Sequence, residues 1–229
     1  MVAVTEVHGA VTACLDEEKA RIQQEEGLPR NVWSVTGTDG RSLLKSAASA
    51  RSKIGRELRR LEEAGRLPKG RMSLDQIENM LLDFPDLGRF RVVCDFSCDV
   101  ERAKKCLIQK RKPPSLLGRY PLAGRVKDYV FDLNLRHPAR GHRAFQFAAQ
   151  VPMGGRSLLI EVQLMTLLQV AWDTRNHPIY EWSRDGGQLP ADLTLLDVAL
   201  AEALHLVDHQ ATQHWQKFLR IKKKAGGAR

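Results

Sequence analysis

The sequence predicts an α+β domain: a mixed β-sheet of about five strands flanked by helices, with a long helix at the C-terminal end. Three observations lead there. The patterned segments run helix, helix, strand, helix, then a cluster of strands, then helices, an order that suits one layered domain. The stretch "RSLLIEVQLM", residues 156–165, reads as a buried strand. Residues 191–224 are almost unbroken helix formers. With 229 residues, 43% apolar and 28% charged, the composition is that of an ordinary globular protein.

Residues 3–26 fit an amphipathic helix that ends near Gly27-Leu28-Pro29. "RSLLKSAASARSKIGRELRRLEEAG" predicts a second helix, with Gly65 as its stop. Ser73 is a good N-cap for the short helix "SLDQIENMLLDF". "RFRVVCDF" is β-branched and aromatic, and predicts a strand. "CDVERAKKCLIQKRK" predicts a basic helix closed by Pro113-Pro114, and "RVKDYVFDLN" a strand entering a loop. "HRAFQFAAQVPM" and "SLLIEVQLM" predict a hairpin around Gly154-Gly155. "TLLQVAWDTRNHPIYEW" is expected to be helical at least to His177, and the last helix follows. The expected divisions are an N-terminal helix over 1–30, a core over 31–185, and a C-terminal helix with a basic tail over 186–229.

No apolar run is long enough to span a membrane, and the N-terminus lacks the basic start and apolar core of a secretory signal. The four cysteines form no CxxC pair. Reduced thiols in the cytoplasm are the expectation. Charge is more informative. The net charge is +9; residues 41–71 carry ten basic and three acidic side chains, and residues 217–229 carry six basic and none acidic. Such clustering points to a polyphosphate or nucleic-acid partner, although the tail alone reads more simply as a solvated, frayed end.

Candidate chemistry starts from Glu161. Alternation along the strand puts Ile160, Val162 and Leu164 on one face and Leu159, Glu161, Gln163 and Met165 on the other. The first face suits a core. On the second, a carboxylate needs a cation, a donor or water, because burying it alone costs several kcal/mol, roughly. That face is expected to floor a site. Lys45, Ser49 and Lys53 recur every fourth residue and would form one helical stripe suited to a triphosphate. Asp86 stands just before a strand that carries Arg91, where a carboxylate commonly binds magnesium. His205, His209 and His214, at helical spacing with Asp208, lack the partners of a zinc motif and read as a polar helix face.

Together these segments resemble the synthetase domain of the RelA/SpoT family, which makes the alarmone (p)ppGpp. "KSAASARSK" is similar to the family's K-S-x-x-S-x-x-x-K element, and "DLGRFRVV" to its D-[LI]-x-[AG]-[IF]-R-[VC] strand. "RVKDYV" is similar to [RK]-x-K-D-Y-I. "GHRAFQ" and "EVQLMT" stand in the places of G-Y-x-S-x-H and E-[VI]-Q-[IL]-R-T. "WDTRNHPIY" looks like W-A-x-x-E-H-x-x-Y. Six elements in order, from Lys45 to Tyr180, carry the resemblance.

The resemblance implies a nucleotidyltransferase-like core that moves the β,γ-pyrophosphate of ATP to a ribose 3′-hydroxyl. It implies Mg²⁺ on Asp86 and Glu161, with Glu161 also able to take the hydroxyl proton. Lys45, Ser49 and Lys53 would hold the donor phosphates, with Arg91 or Arg51 over the adenine or β-phosphate. Lys127, His142, Arg143 and Gln163 would contact the acceptor. The departures fall on the acceptor side: His142 replaces a tyrosine, Ala144 a serine, Gln146 a histidine and Met165 an arginine. Hence three readings stand open: a short alarmone synthetase for guanine or adenine nucleotides; a toxin acting on such nucleotides or on the 3′ end of tRNA, with an antitoxin or immunity partner; and a catalytically dead nucleotide- or RNA-binding module.

Overall fold

The computed structural model describes residues 2–37, 43–66, 72–84, 86–109, 120, 122–128, 143–153, 155–184 and 186–226. The chain runs α1 (Val2–Glu26), β1 (Trp33–Gly37), α2 (Ala47–Glu63), α3 (Leu74–Leu82), β2 (Gly88–Cys94) and α4 (Ser97–Lys104). A π-helical turn over Lys105–Gln109 follows, then β3 (Leu122–Asp128), β4 (Phe145–Met153), β5 (Arg156–Thr166), α5 (Leu167–Arg184) and α6 (Ala191–Gly226). The five strands form one mixed sheet in the order β1-β2-β5-β4-β3. Only β2 and β5 pair in parallel; the β4–β5 hairpin turns at Gly155, whose φ of 81° needs a glycine.

Alternation sorts the sheet into two faces. Phe90 and Val92 of β2, Phe145 and Phe147 of β4, and Ile160, Val162 and Leu164 of β5 lie in register in the core. Helix α1 covers this side with Val4, Val7, Val11, Leu15 and Ile22, spaced three, four or seven residues apart. The approach is so close that a Cβ on Gly88 would stand 2.8 Å from Val4 Cγ2. The opposite face carries Arg89 and Arg91 of β2, Glu161 and Gln163 of β5, and Gln146 of β4, again in register.

Helix α5 follows β5 without a loop. Thr166 and Gln169 bond each other's backbone N–H, at 3.3 and 3.0 Å, and this reciprocal cap turns the chain back over the polar face. At the far side, Arg30 binds Glu26 and Asp99 at 2.8 and 2.7 Å and lies beside the stacked rings of Phe96 and Trp215. That knot ties α1, α4 and α6 together.

Four expectations need correction. Strand β1, "WSVTG", was not anticipated. The second helix starts at Ala47, so Lys45 precedes it; Ser46 is the N-cap and accepts the Ser49 N–H. The basic tail is helical to Gly226 rather than frayed, and Lys222 donates to the Glu26 and Gly27 carbonyls at the end of α1 (2.8 and 2.7 Å). Asp208, expected on a polar helix face, is buried and accepts from the Thr166 hydroxyl. Helix α5 continues through Pro178 to Arg184. None of the four cysteines is joined in a disulfide.

Candidate active site

The polar sheet face and α5 enclose a cavity of about 240 Å³. Its lining includes Lys45, Asp86, Arg89, Arg91, Glu161 and Gln163, which sequence pattern had singled out except for Arg89. From α5 it takes Trp172, Asp173, Asn176, His177, Tyr180 and Arg184. Their three-to-four-residue spacing is the signature of one helix face, readable in "WDTRNHPIY" once that segment is known to be helical.

Lys45 is placed by backbone pairing. Residues 43–45 run antiparallel to the start of β2: Lys45 N–H donates to Leu87 O at 2.9 Å and Arg89 N–H to Leu43 O at 3.0 Å. The Lys45 ammonium therefore meets Asp86, at 2.6 Å. Lys53, two turns into α2, pairs with the other oxygen of the same carboxylate and lies over the Phe84 ring. Burial alone would raise the pKa of Asp86; the hydrogen bonds from Lys45 and Lys53 outweigh it and bring the carboxyl down to about 2. Burial also lowers the Lys45 pKa, and Asp86 only partly restores it.

Glu161 accepts from Gln163 Nε2 at 2.6 Å. Gln163 in turn accepts from Arg91 Nε at 3.0 Å, and the far side of the Arg91 guanidinium pairs with Asp173 of α5. Arg89 stands between the two carboxylates, 4.0 Å from Asp86 and 3.8 Å from Glu161. Its Nε and the Asn176 Oδ1 are buried without a hydrogen-bond partner. Unsatisfied groups that line a cavity call for a ligand's polar atoms.

Asp86 and Glu161 suit a hard divalent cation: Asp86 stays ionised across the physiological range, and Mg²⁺ takes one or two carboxylates with substrate phosphates. Among the described residues no group of three or more potential ligands gathers, so the remaining ligands would come from substrate and water.

Other expected contacts lie elsewhere. Arg51 is exposed and outside the cavity lining. Ser49 also lies outside the lining. Arg143 is drawn to Glu202 of α6, at 2.6 Å, rather than toward the cavity. Met165 is wholly buried. Lys127 faces Gln146 in the β3–β4 register, its side chain outside what is described, and His142 lies outside the described residues.

No family model matches the chain. GTP pyrophosphokinase YjbM of Bacillus subtilis is 25% identical over 145 residues, which span 61% of this chain and 60% of that protein. A GTP pyrophosphokinase family protein from Streptococcus pneumoniae superposes with a TM-score of 0.62 at 18% identity, covering 96% of this chain and 92% of the other. Small alarmone synthetase 1 from Bacillus subtilis, bound to its product pppGpp, gives a TM-score of 0.57 at 20% identity over 88% of this chain and 86% of that one. The same protein bound to AMPCPP gives 0.53 at 16% identity, over 96% and 95%.

The fold is that of the small alarmone synthetases. The α+β architecture and the RelA/SpoT resemblance carried by the motifs agree with this likeness. In this chain, the sheet strands "GRFRVVC" and "RSLLIEVQLMT" supply the cavity floor, and their alternation exposes charged groups on one side only.

Proposed function

We propose that this chain is a pyrophosphokinase of the small alarmone synthetase kind. It transfers the β,γ-pyrophosphate of ATP, bound with Mg²⁺, to the ribose 3′-hydroxyl of a purine nucleotide. One observation carries the reading: two carboxylates, Asp86 and Glu161, and the cations of Lys45, Arg89 and Arg91 line one cavity, and Lys53 reaches Asp86 from α2 outside its lining. The names of the relatives and the pppGpp and AMPCPP bound to the Bacillus protein point the same way.

Phosphoryl transfer depends on positioning and charge neutralisation. Lys45 and Lys53 are suited to exchange Asp86 for the donor phosphates, freeing Asp86 for the cation. When bound, Mg²⁺ neutralises the phosphate oxygens. Glu161 accepts the 3′-hydroxyl proton in this reading, supported by its hydrogen bond from Gln163. Arg91, fixed by Gln163 and Asp173, holds its guanidinium at the wall for the donor. On the acceptor side, His142 stands where the resemblance expects the base-stacking tyrosine, a change that favours an adenine over a guanine acceptor, and buried Met165 supplies no phosphate-binding cation where the family pattern has arginine.

A second reading, the tRNA 3′ end as acceptor of a toxin, is favoured by the exposed Lys217, Lys223 and Lys224 at the end of α6. The deciding experiment supplies ATP labelled in its γ-phosphate, with Mg²⁺, and offers GDP, GTP, AMP, ADP, ATP or tRNA in turn. Label on an adenine nucleotide is expected. Label mainly on GDP or GTP overturns the adenine preference; label on tRNA alone selects the second reading; no label anywhere rejects both.

A further inference from the structure

Arg89 has no role in the chemistry described so far, yet it occupies the centre of the site. It is the residue directly opposite Glu161 in the parallel β2–β5 register, so its side chain rises from the floor beside that carboxylate. Its guanidinium lies within 4.0 Å of Asp86 and 3.8 Å of Glu161, yet forms a hydrogen bond with neither. A half-buried guanidinium whose Nε has no hydrogen-bond partner, between two acids, is held there by charge rather than by a fork of hydrogen bonds.

Among the described groups, the cations hydrogen-bonded to Asp86 are Lys45 and Lys53. The one cation paired with Glu161 is Arg89. The space between the acids is also where a divalent cation would have to sit to touch both. Two cations cannot share it: like charges about 4 Å apart repel by roughly 1–4 kcal/mol, depending on the local dielectric.

We propose that Arg89 is the internal counter-cation of the carboxylate pair. It holds the gap between Asp86 and Glu161 in the ligand-free protein, and it must swing out of it for a divalent cation to enter. Binding of the metal is thereby coupled to binding of a polyphosphate. The anion gives the displaced guanidinium a new partner, so the metal enters poorly alone and well with a nucleotide. This rests on the proposed use of Asp86 and Glu161 as metal ligands.

The test measures Mn²⁺ binding to the ligand-free protein by electron paramagnetic resonance, without any turnover. Arg89→Gln removes the charge and keeps a polar side chain; Arg89→Lys keeps the charge. Arg89→Gln is expected to bind Mn²⁺ on the order of tenfold more tightly than wild type, from the loss of one charge about 4 Å from the site. Arg89→Lys should stay near wild type, and adding Asp86→Asn to Arg89→Gln should abolish the gain. Repeating the titration with AMPCPP present should shrink the difference between wild type and Arg89→Gln. Equal or weaker Mn²⁺ binding by a folded Arg89→Gln overturns the proposal, as does the absence of binding by every variant. Either result leaves the label-transfer assay to judge the pyrophosphokinase reading by itself.

Discussion

Glu161 is steered by its own strand: Gln163, two residues on, donates to one of its oxygens, and Arg91 fixes Gln163 from the neighbouring strand. In the proposed function the carboxylate's other oxygen is the one that takes the hydroxyl proton. Glu161→Gln keeps the shape and removes both the metal charge and the proton acceptor, so pyrophosphate transfer should disappear while circular dichroism and melting stay unchanged. Turnover within a few-fold of wild type would remove Glu161 from the chemistry. Lys45 and Lys53 are both spent on Asp86 in the ligand-free protein. Replacing either by Ala should weaken AMPCPP binding by roughly 1.5–3 kcal/mol, one charge-assisted contact. Calorimetry that finds both variants binding like wild type would move the donor site elsewhere.

Helix α2 is attached by its ends and its charges. None of its residues is buried; the Ser46 cap and the Lys53 contacts with Asp86 and Phe84 hold it. An element with so little buried apolar surface opens at low free-energy cost. Hydrogen exchange should therefore be fast in Ala47–Glu63 and slow in β2 and β5, and AMPCPP should protect α2 selectively by engaging Lys53. Equal protection of α2 and the central strands in the free protein would contradict this. Helix α6 is clasped differently. Burial raises the Asp208 carboxyl to about 6, and the Thr166 hydroxyl only partly opposes this. Its unfolded value is about 3.9. Between roughly pH 4 and 6 the folded state binds the extra proton, so this group's contribution to stability falls as pH rises through that window. Asp86 acts with the opposite sign: its contribution is present above about pH 4 and is lost toward about pH 2. Asp208→Asn should flatten the decline between pH 4 and 6 and raise the melting temperature at pH 8. An unchanged pH profile would show that Asp208 does not titrate there.

Across the whole molecule, what could be read from the sequence is what alternation and helical period encode. The apolar face of Ile160, Val162 and Leu164, the polar face of Glu161 and Gln163, and the Ser73 capping box are local patterns, and they appear in the fold. What local pattern could not carry is pairing between distant segments. Strand β1 is five residues without clear alternation and becomes a strand only by pairing with β2. Lys45 reads as helical by spacing but is pulled into extended backbone by Leu87. Arg143 is diverted by Glu202, fifty-nine residues away, and Arg89 gains its meaning only opposite Glu161. The proposed transfer moves a pyrophosphate group as one unit, and the nucleotide balance of the reaction reports on that. Purified protein with ATP, Mg²⁺ and the best acceptor should yield AMP and a doubly phosphorylated acceptor in equal amounts by chromatography and mass spectrometry, and the Glu161→Gln protein should yield neither. ADP with inorganic phosphate, or ATP left intact by folded wild-type protein beside every acceptor, would contradict it.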